Sequence, residues 1–113
     1  MKKEIKRLYE GMYILNASLS EDALKKALQR VTKTIEKHEG EVQKVHEMGR
    51  KKLAYEINRF RQGQYFLLYF SIVPKVMPEV WREFQLNEDL IRFMTIRTNS
   101  ILETLEFKTL IET

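Results

Sequence analysis

From residue 65 to residue 73 the chain reads Tyr65-Phe66-Leu67-Leu68-Tyr69-Phe70-Ser71-Ile72-Val73, apolar at nearly every position. A strand with one wet face alternates polar and apolar side chains, whereas a strand that does not alternate must be covered on both faces. This segment is therefore expected to be a central strand, with helices on one side and a partner on the other as its covers. Other strands must flank it and helices must pack on it, and the rest of the chain has patterns for both.

Leu8 to Leu15 is rich in Tyr, Ile, Leu and Met and reads as the first strand. Asn16-Ala17-Ser18-Leu19-Ser20 interrupts it; Ser18 with Glu21 has capping-box spacing, and Ser20 is an alternative N-cap. Glu21 and Asp22 then stand where a helix N-terminus favours negative charge. Leu24, Leu28, Val31 and Ile35 step by 4, 3 and 4, one apolar helix stripe, with Lys25, Lys26, Arg30, Lys33, Glu36 and Lys37 on the other faces. The helix is expected to end near Glu39-Gly40, with Gly40 as the C′ residue and Lys37 and His38 in the last turn.

Glu41 to about Arg59 reads as a long extended segment in which Leu53, Tyr55 and Ile57 alternate with Lys52, Ala54 and Glu56, and Gly49 marks a bulge or bend. Arg61-Gln62-Gly63-Gln64 reads as a turn into the central strand. Pro74 and Pro78 bracket the start of a second helix with the stripe Met77, Val80 and Phe84, closed by Asn87-Glu88-Asp89. Leu90 to Thr98 is the last strand, with Arg92, Met94 and Ile96 on one face and Ile91, Phe93 and Thr95 on the other. The order β-α-β-β-α-β predicts an α+β, ferredoxin-like sandwich: a four-stranded antiparallel sheet with two helices on one face. Its other face must meet water, a ligand or a partner.

A length of 113 residues, 43% of them hydrophobic and 32% charged, suits one soluble domain, placed at 1–99 and followed by a tail at 100–113. The tail carries Ile101, Leu102, Leu105, Phe107, Leu110 and Ile111, too many apolar groups for a free segment in water. It is expected either to dock on a partner or to fold back on its own domain.

The chemistry is narrowed mainly by what is missing. With no cysteine there is no disulfide, thiolate zinc site, iron–sulfur cluster or cysteine nucleophile. Only two histidines occur, His38 and His46; the first closes a helix and fits a capping role, and the second alternates onto a strand face. No glycine-rich phosphate loop, nucleophile elbow or zinc-helix motif is present. The expectation is a protein that is not an enzyme, has no catalytic residues and needs no metal or organic cofactor or small-molecule substrate. No apolar run is long enough to span a membrane, and no apolar stretch follows the basic N-terminus as a secretory signal requires.

The cations are more informative. The net charge is +4, and Arg50-Lys51-Lys52 stands between Gly49 and Leu53-Ala54-Tyr55, with Arg59 and Arg61 near the following turn. Lys2, Lys3, Lys6 and Arg7 lead into the first strand, and Arg92 and Arg97 lie on the last. Cations beside exposed aromatics suit RNA, whose phosphates need charge and whose unstacked bases need flat partners; the bland alternative is a set of ordinary solvated faces. Gln62-Gly63-Gln64-Tyr65-Phe66-Leu67-Leu68-Tyr69 shares a glycine and an aromatic–aliphatic run with the RNP1 stretch of an RNA-recognition motif. It lacks the leading cation and is not a standard example.

The segment Gly49-Arg50-Lys51-Lys52-Leu53-Ala54-Tyr55-Glu56-Ile57-Asn58 resembles the bacterial family of small-subunit ribosomal protein number six. Tyr9-Glu10 with Ile14-Leu15, Gly63 with Tyr65-Phe66-Leu67, and Leu90-Ile91-Arg92-Phe93-Met94 agree with that family's first, third and last strands, so the resemblance spans about residues 8–98. Extra basic residues before Tyr9, and the bulky Phe84 with Trp81 alongside, depart from the shorter members. The resemblance implies a ferredoxin-like fold and a place in the cytoplasmic ribosome as a structural constituent of the small subunit. It implies binding to the central domain of small-subunit rRNA together with ribosomal protein number eighteen. Carried over residue by residue, it points to Arg7, Lys51, Lys52, Tyr55 and Arg92 as RNA contacts, with a purely core role equally open for Tyr55. The rival from another class is a ferredoxin-like regulatory or small-ligand domain that dimerises through its sheet.

Overall fold

The computed structural model describes residues 5–57 and 60–102, and of 54–57 and 60–61 the backbone alone. The elements follow in the expected order: β1 (Arg7–Asn16), α1 (Glu21–Lys37), β2 (Glu41–Ile57), β3 (Phe60–Ile72), α2 (Met77–Gln85) and β4 (Leu90–Arg97), with a 3-10 turn at Pro74–Val76 ahead of α2. The strands form one antiparallel sheet in the order β2-β3-β1-β4. Ala27, Val31 and Ile35 of α1 and Met77, Val80 and Phe84 of α2 close over Tyr9, Tyr13, Leu15, Phe66, Leu68, Phe70 and Ile72 in a single core. Both helices therefore cover the same face, and the chain is a ferredoxin-like α+β sandwich.

The first helix begins at Ser20, whose Oγ accepts the Ala23 N–H at 3.2 Å. Ser18 is occupied elsewhere, donating its hydroxyl to Asn16 Oδ1 at 2.7 Å. At the other end the structure corrects the expected cap. The C′ residue in the left-handed conformation is Glu39 (φ 65°), with Gly40 one step later. The Glu39 N–H donates to the Glu36 carbonyl at 2.9 Å and the Gly40 N–H to the Ile35 carbonyl at 2.8 Å, the two bonds of a Schellman ending. Gly40 is needed for space, because a Cβ there would fall 2.6 Å from Ile35 Cγ2 and 2.9 Å from the Ile35 carbonyl oxygen.

His38, the C-cap of α1, also reaches the second helix. Its Nε2–H donates to one oxygen of Glu83 at 2.5 Å, and the Lys37 ammonium lies 3.0 Å from the other. These two donors, His38 first, hold the Glu83 carboxyl below the usual carboxylate range.

A second correction concerns Arg61 to Gln64, expected as a turn. The β2–β3 ladder continues to Ile57↔Phe60, and Gly63 lies inside the sheet, paired with Lys51 on one side and Asn16 on the other. A Cβ at Gly63 would collide with Ile14 Cγ2, so the glycine makes room for a cross-strand neighbour and does not turn the chain. Gly49 behaves as expected: its φ is 89° and the register breaks between Glu47 and Gly49, which is a bulge. Further breaks at Val42/Lys44 and Lys52/Ile57 make β2 an irregular edge strand.

The central-strand expectation holds for β3. On the face without helices Leu67 is 2% exposed and Tyr69 0% exposed. Their register partners on β1, Met12 and Glu10, and those on β4, Met94 and Ile96, continue the same face across the sheet.

Candidate nucleic-acid interface

Arg50, Lys51 and Lys52 are consecutive on β2, so their side chains alternate between the two faces of the sheet. Lys51 pairs with Gly63 and shares the helix-free face with Ile14, Leu53 and Tyr65, the residues that surround the space above Gly63. Lys52 pairs with Gln62 and points to the opposite side, where it is exposed. Arg50 also lies on the helix side. Its guanidinium donates to the Ala17 carbonyl at 3.1 Å, tying the strand to the loop before α1. With Lys25, Glu21, Glu47 and Gln64 it lines a cleft of about 320 Å³. Arg50 belongs to the expected basic run but not to the expected binding set. Alternation along β2 is the signal that separates it from Lys51.

Arg92 is exposed on β4 and pairs with Ile14, which places it on the helix-free face beside Met94. It stands at the same end of the sheet as Lys51. The two are three strand positions apart, about 14 Å across the sheet. Arg7 is elsewhere: it pairs with Ile72, seven residues along β1 from Ile14, or about 23 Å away. Of the five expected contacts, the structure brings Lys51 and Arg92 together on one face. It puts Lys52 at the same end but on the reverse side, and leaves Arg7 at the opposite end. The Tyr55 side chain lies outside the described residues, as do Lys2, Lys3 and Arg59 and the side chain of Arg61.

The end that carries these cations is also where the sheet narrows. β1 stops at the Asn16↔Gly63 pair, while β2 and β3 continue to Ile57↔Phe60 as a two-stranded ribbon. Lys51 and Lys52 sit at the root of that ribbon. A ribbon with charged flanks can enter a groove of a folded nucleic acid more deeply than a broad sheet can.

The buried hydroxyls play a different part. Burial pushes the Tyr13 phenol well above its ordinary range. Tyr69 is pushed up to about 12, first by burial and then by its hydrogen bond to Glu10. Both are neutral core groups at physiological pH. Among the described residues no group of three or more His, Cys, Asp or Glu side chains could hold a metal ion. No helix there is long and apolar enough to cross a membrane.

A family model described as ribosomal protein S6 matches residues 8–97. The small ribosomal subunit protein bS6 of Chlamydia trachomatis serovar L2 (strain 434/Bu) is 52% identical over 112 residues, covering 99% of this chain and 100% of that protein. The protein of the same description from Protochlamydia amoebophila (strain UWE25) is 50% identical, covering 99% of this chain and 98% of its own. Among solved structures, the crystal structure of 30S ribosomal protein S6 from Thermotoga maritima superposes with a TM-score of 0.76 at 33% identity, over 82% of this chain and 88% of that one.

Proposed function

This chain belongs to the ribosomal protein S6 family, and on that premise we propose that it binds the central domain of small-subunit rRNA jointly with ribosomal protein number eighteen. Membership makes it a protein of the small subunit of the cytoplasmic ribosome, in a family of structural rather than catalytic proteins. The observation that carries the RNA reading is that Lys51 and Arg92 share the helix-free sheet face, at the end from which the β2–β3 ribbon projects. Cations held at fixed spacing on a rigid sheet neutralise phosphates and release the counterions condensed on them. The protein partner is supported by the same face. Met94 is 66% exposed and Ile96 56% exposed, next to each other on β4, where one more packed surface would remove them from water.

A salt series with a central-domain rRNA fragment tests the RNA reading. Lys51→Ala should lower the slope of log K against log salt by about 1, and Lys51→Ala with Lys52→Ala by about 2 if both faces of the ribbon root touch phosphate. A double variant that keeps the full slope would reduce these residues to a solvated surface. For the partner, Met94→Glu should abolish copurification with protein number eighteen while leaving the chain folded. If Met94→Glu leaves that complex intact and instead abolishes self-association of this chain, the sheet-dimer rival takes its place.

A further inference from the structure

Side chains of three strands of the helix-free face form one line of contacts that ends at Leu102. Tyr69 of β3 is fully buried and its hydroxyl donates to Glu10 Oε2 of β1 at 2.6 Å. The Leu102 carbonyl lies 2.6 Å from Nε2 of His46 on β2, and the imidazole stands edge-on to the Tyr69 ring at 6.1 Å. A carbonyl oxygen can only accept, so His46 carries a proton on Nε2 and donates it. The Leu102 carbonyl is thus satisfied by a side chain held on the sheet.

Leu102 comes from far away in the sheet. The chain leaves β4 at Arg97, and the Thr98 N–H still follows β1, donating to the Leu8 carbonyl at 3.1 Å. Between Thr98 and Leu102 it passes over β1 and β3 to reach β2, at the opposite edge of the sheet from β4. None of the cations of the RNA reading takes part. A buried phenol and imidazole on a sheet face would be costly if unpaired; Tyr69 is paired by the half-buried Glu10 within the sheet, and His46 by the Leu102 carbonyl because the segment is in place.

We propose that Glu10, Tyr69 and His46 form a peptide-binding site on the helix-free face whose ligand is the chain's own C-terminal segment, gripped at the Leu102 carbonyl. The site acts as a positioning device. It turns the chain away from β4 and holds Leu102 over β2. It also occupies the part of the face above β3, so that the apolar surface left for a partner is the Met94–Ile96 patch of β4.

The experiment uses the full chain with backbone order parameters read by NMR. Leu102 should be as ordered as the strands, with an order parameter of about 0.85, in the unmodified protein. His46→Ala should lower it below about 0.6, while Leu68 and Phe70 stay rigid. His46→Gln, which returns a donor near the same place, should restore most of the order; a merely structural histidine would not be replaced in this way. The unmodified chain should also show proximity between the His46 ring protons and Leu102. A Leu102 as mobile as a free peptide, or no proximity signal between His46 and Leu102, overturns the proposal whatever the variants do.

Discussion

Beneath the helices the sheet presents Tyr9, Tyr13, Phe66, Leu68, Phe70 and Ile72, all buried against α1 and α2, and the ring contacts Tyr13–Phe84 and Phe84–Phe93 lock the layers at 5.3 Å centroid separations. The reverse side of the same strands is uneven. Over β3 it is closed and carries a buried polar cluster; over β4 it is open and apolar. The helix side is finished within one chain. The reverse side is finished where the C-terminal segment crosses it and left open over β4. The difference separates two kinds of selection on one sheet: burial that makes the fold stable, and a surface that costs the fold little and is available for assembly.

The comparison breaks most visibly at Phe84, which is 1% exposed. Phe84→Ala should cost about 3–5 kcal/mol, a large part of the total for a domain of this size, and urea denaturation would show it as a lowered midpoint. Gly63→Ala tests the contact between the central strands. The added methyl has no space beside Ile14, so a loss of about 1–3 kcal/mol is expected in the same assay. An unchanged midpoint would mean that the strands part freely.

On the closed part of the reverse side, Tyr69→Phe should cost about 1–2 kcal/mol, because it strands Glu10. It should also change the alkaline limb. Tyr69 is raised from 10.0 to about 12, so the neutral phenol is favoured in the fold; its contribution is whole below pH 10 and is lost as pH rises towards 12. The unmodified chain should weaken over that window, and the Tyr69→Phe variant should lack that part of the decline. The helix side has the opposite dependence. The Glu83 carboxyl is held below its ordinary 4.5, so its contribution is present above that pH and is lost as pH falls below it. Glu83→Gln should flatten the acid limb between pH 4.5 and lower values. The smallest effect belongs to β4: Ile96→Ser should move stability by no more than about 0.5 kcal/mol, and a larger loss would show that the open patch is already packed.

The fold was legible because its signals are local. The stripe Leu24-Leu28-Val31-Ile35 needs only helical spacing, and the face carrying Arg92, Met94 and Ile96 needs only alternation along a strand. What was misread depends on neighbours distant in sequence. Gly63 has the composition of a turn, and only the approach of Ile14 shows why a glycine is there. Glu39 takes a conformation usually left to glycine, while Gly40 answers to the Ile35 side chain packed against it. The candidate site was half legible. Alternation already sets Lys51 apart from Lys52, whereas the family motif groups them, and it is the alternation that the structure follows. The contact between His46 and Leu102 joins residues with no shared local pattern, and no spacing rule reaches it.

The two edges of the sheet differ in one further respect. Along β2 the hydrogen-bond register breaks three times, so its outward row of N–H and C=O groups is out of step and gives another strand no continuous template. Along β4 the pairing with β1 is regular from Arg92 to Arg97, and its outward row is therefore regular too, beside the exposed Met94 and Ile96. A chain made ahead of its assembly into the small subunit has one edge that resists strand addition and one that invites it. Arg92 and Arg97 bracket that inviting edge, and charged side chains along an edge strand are a common means of discouraging a second copy from adding to it.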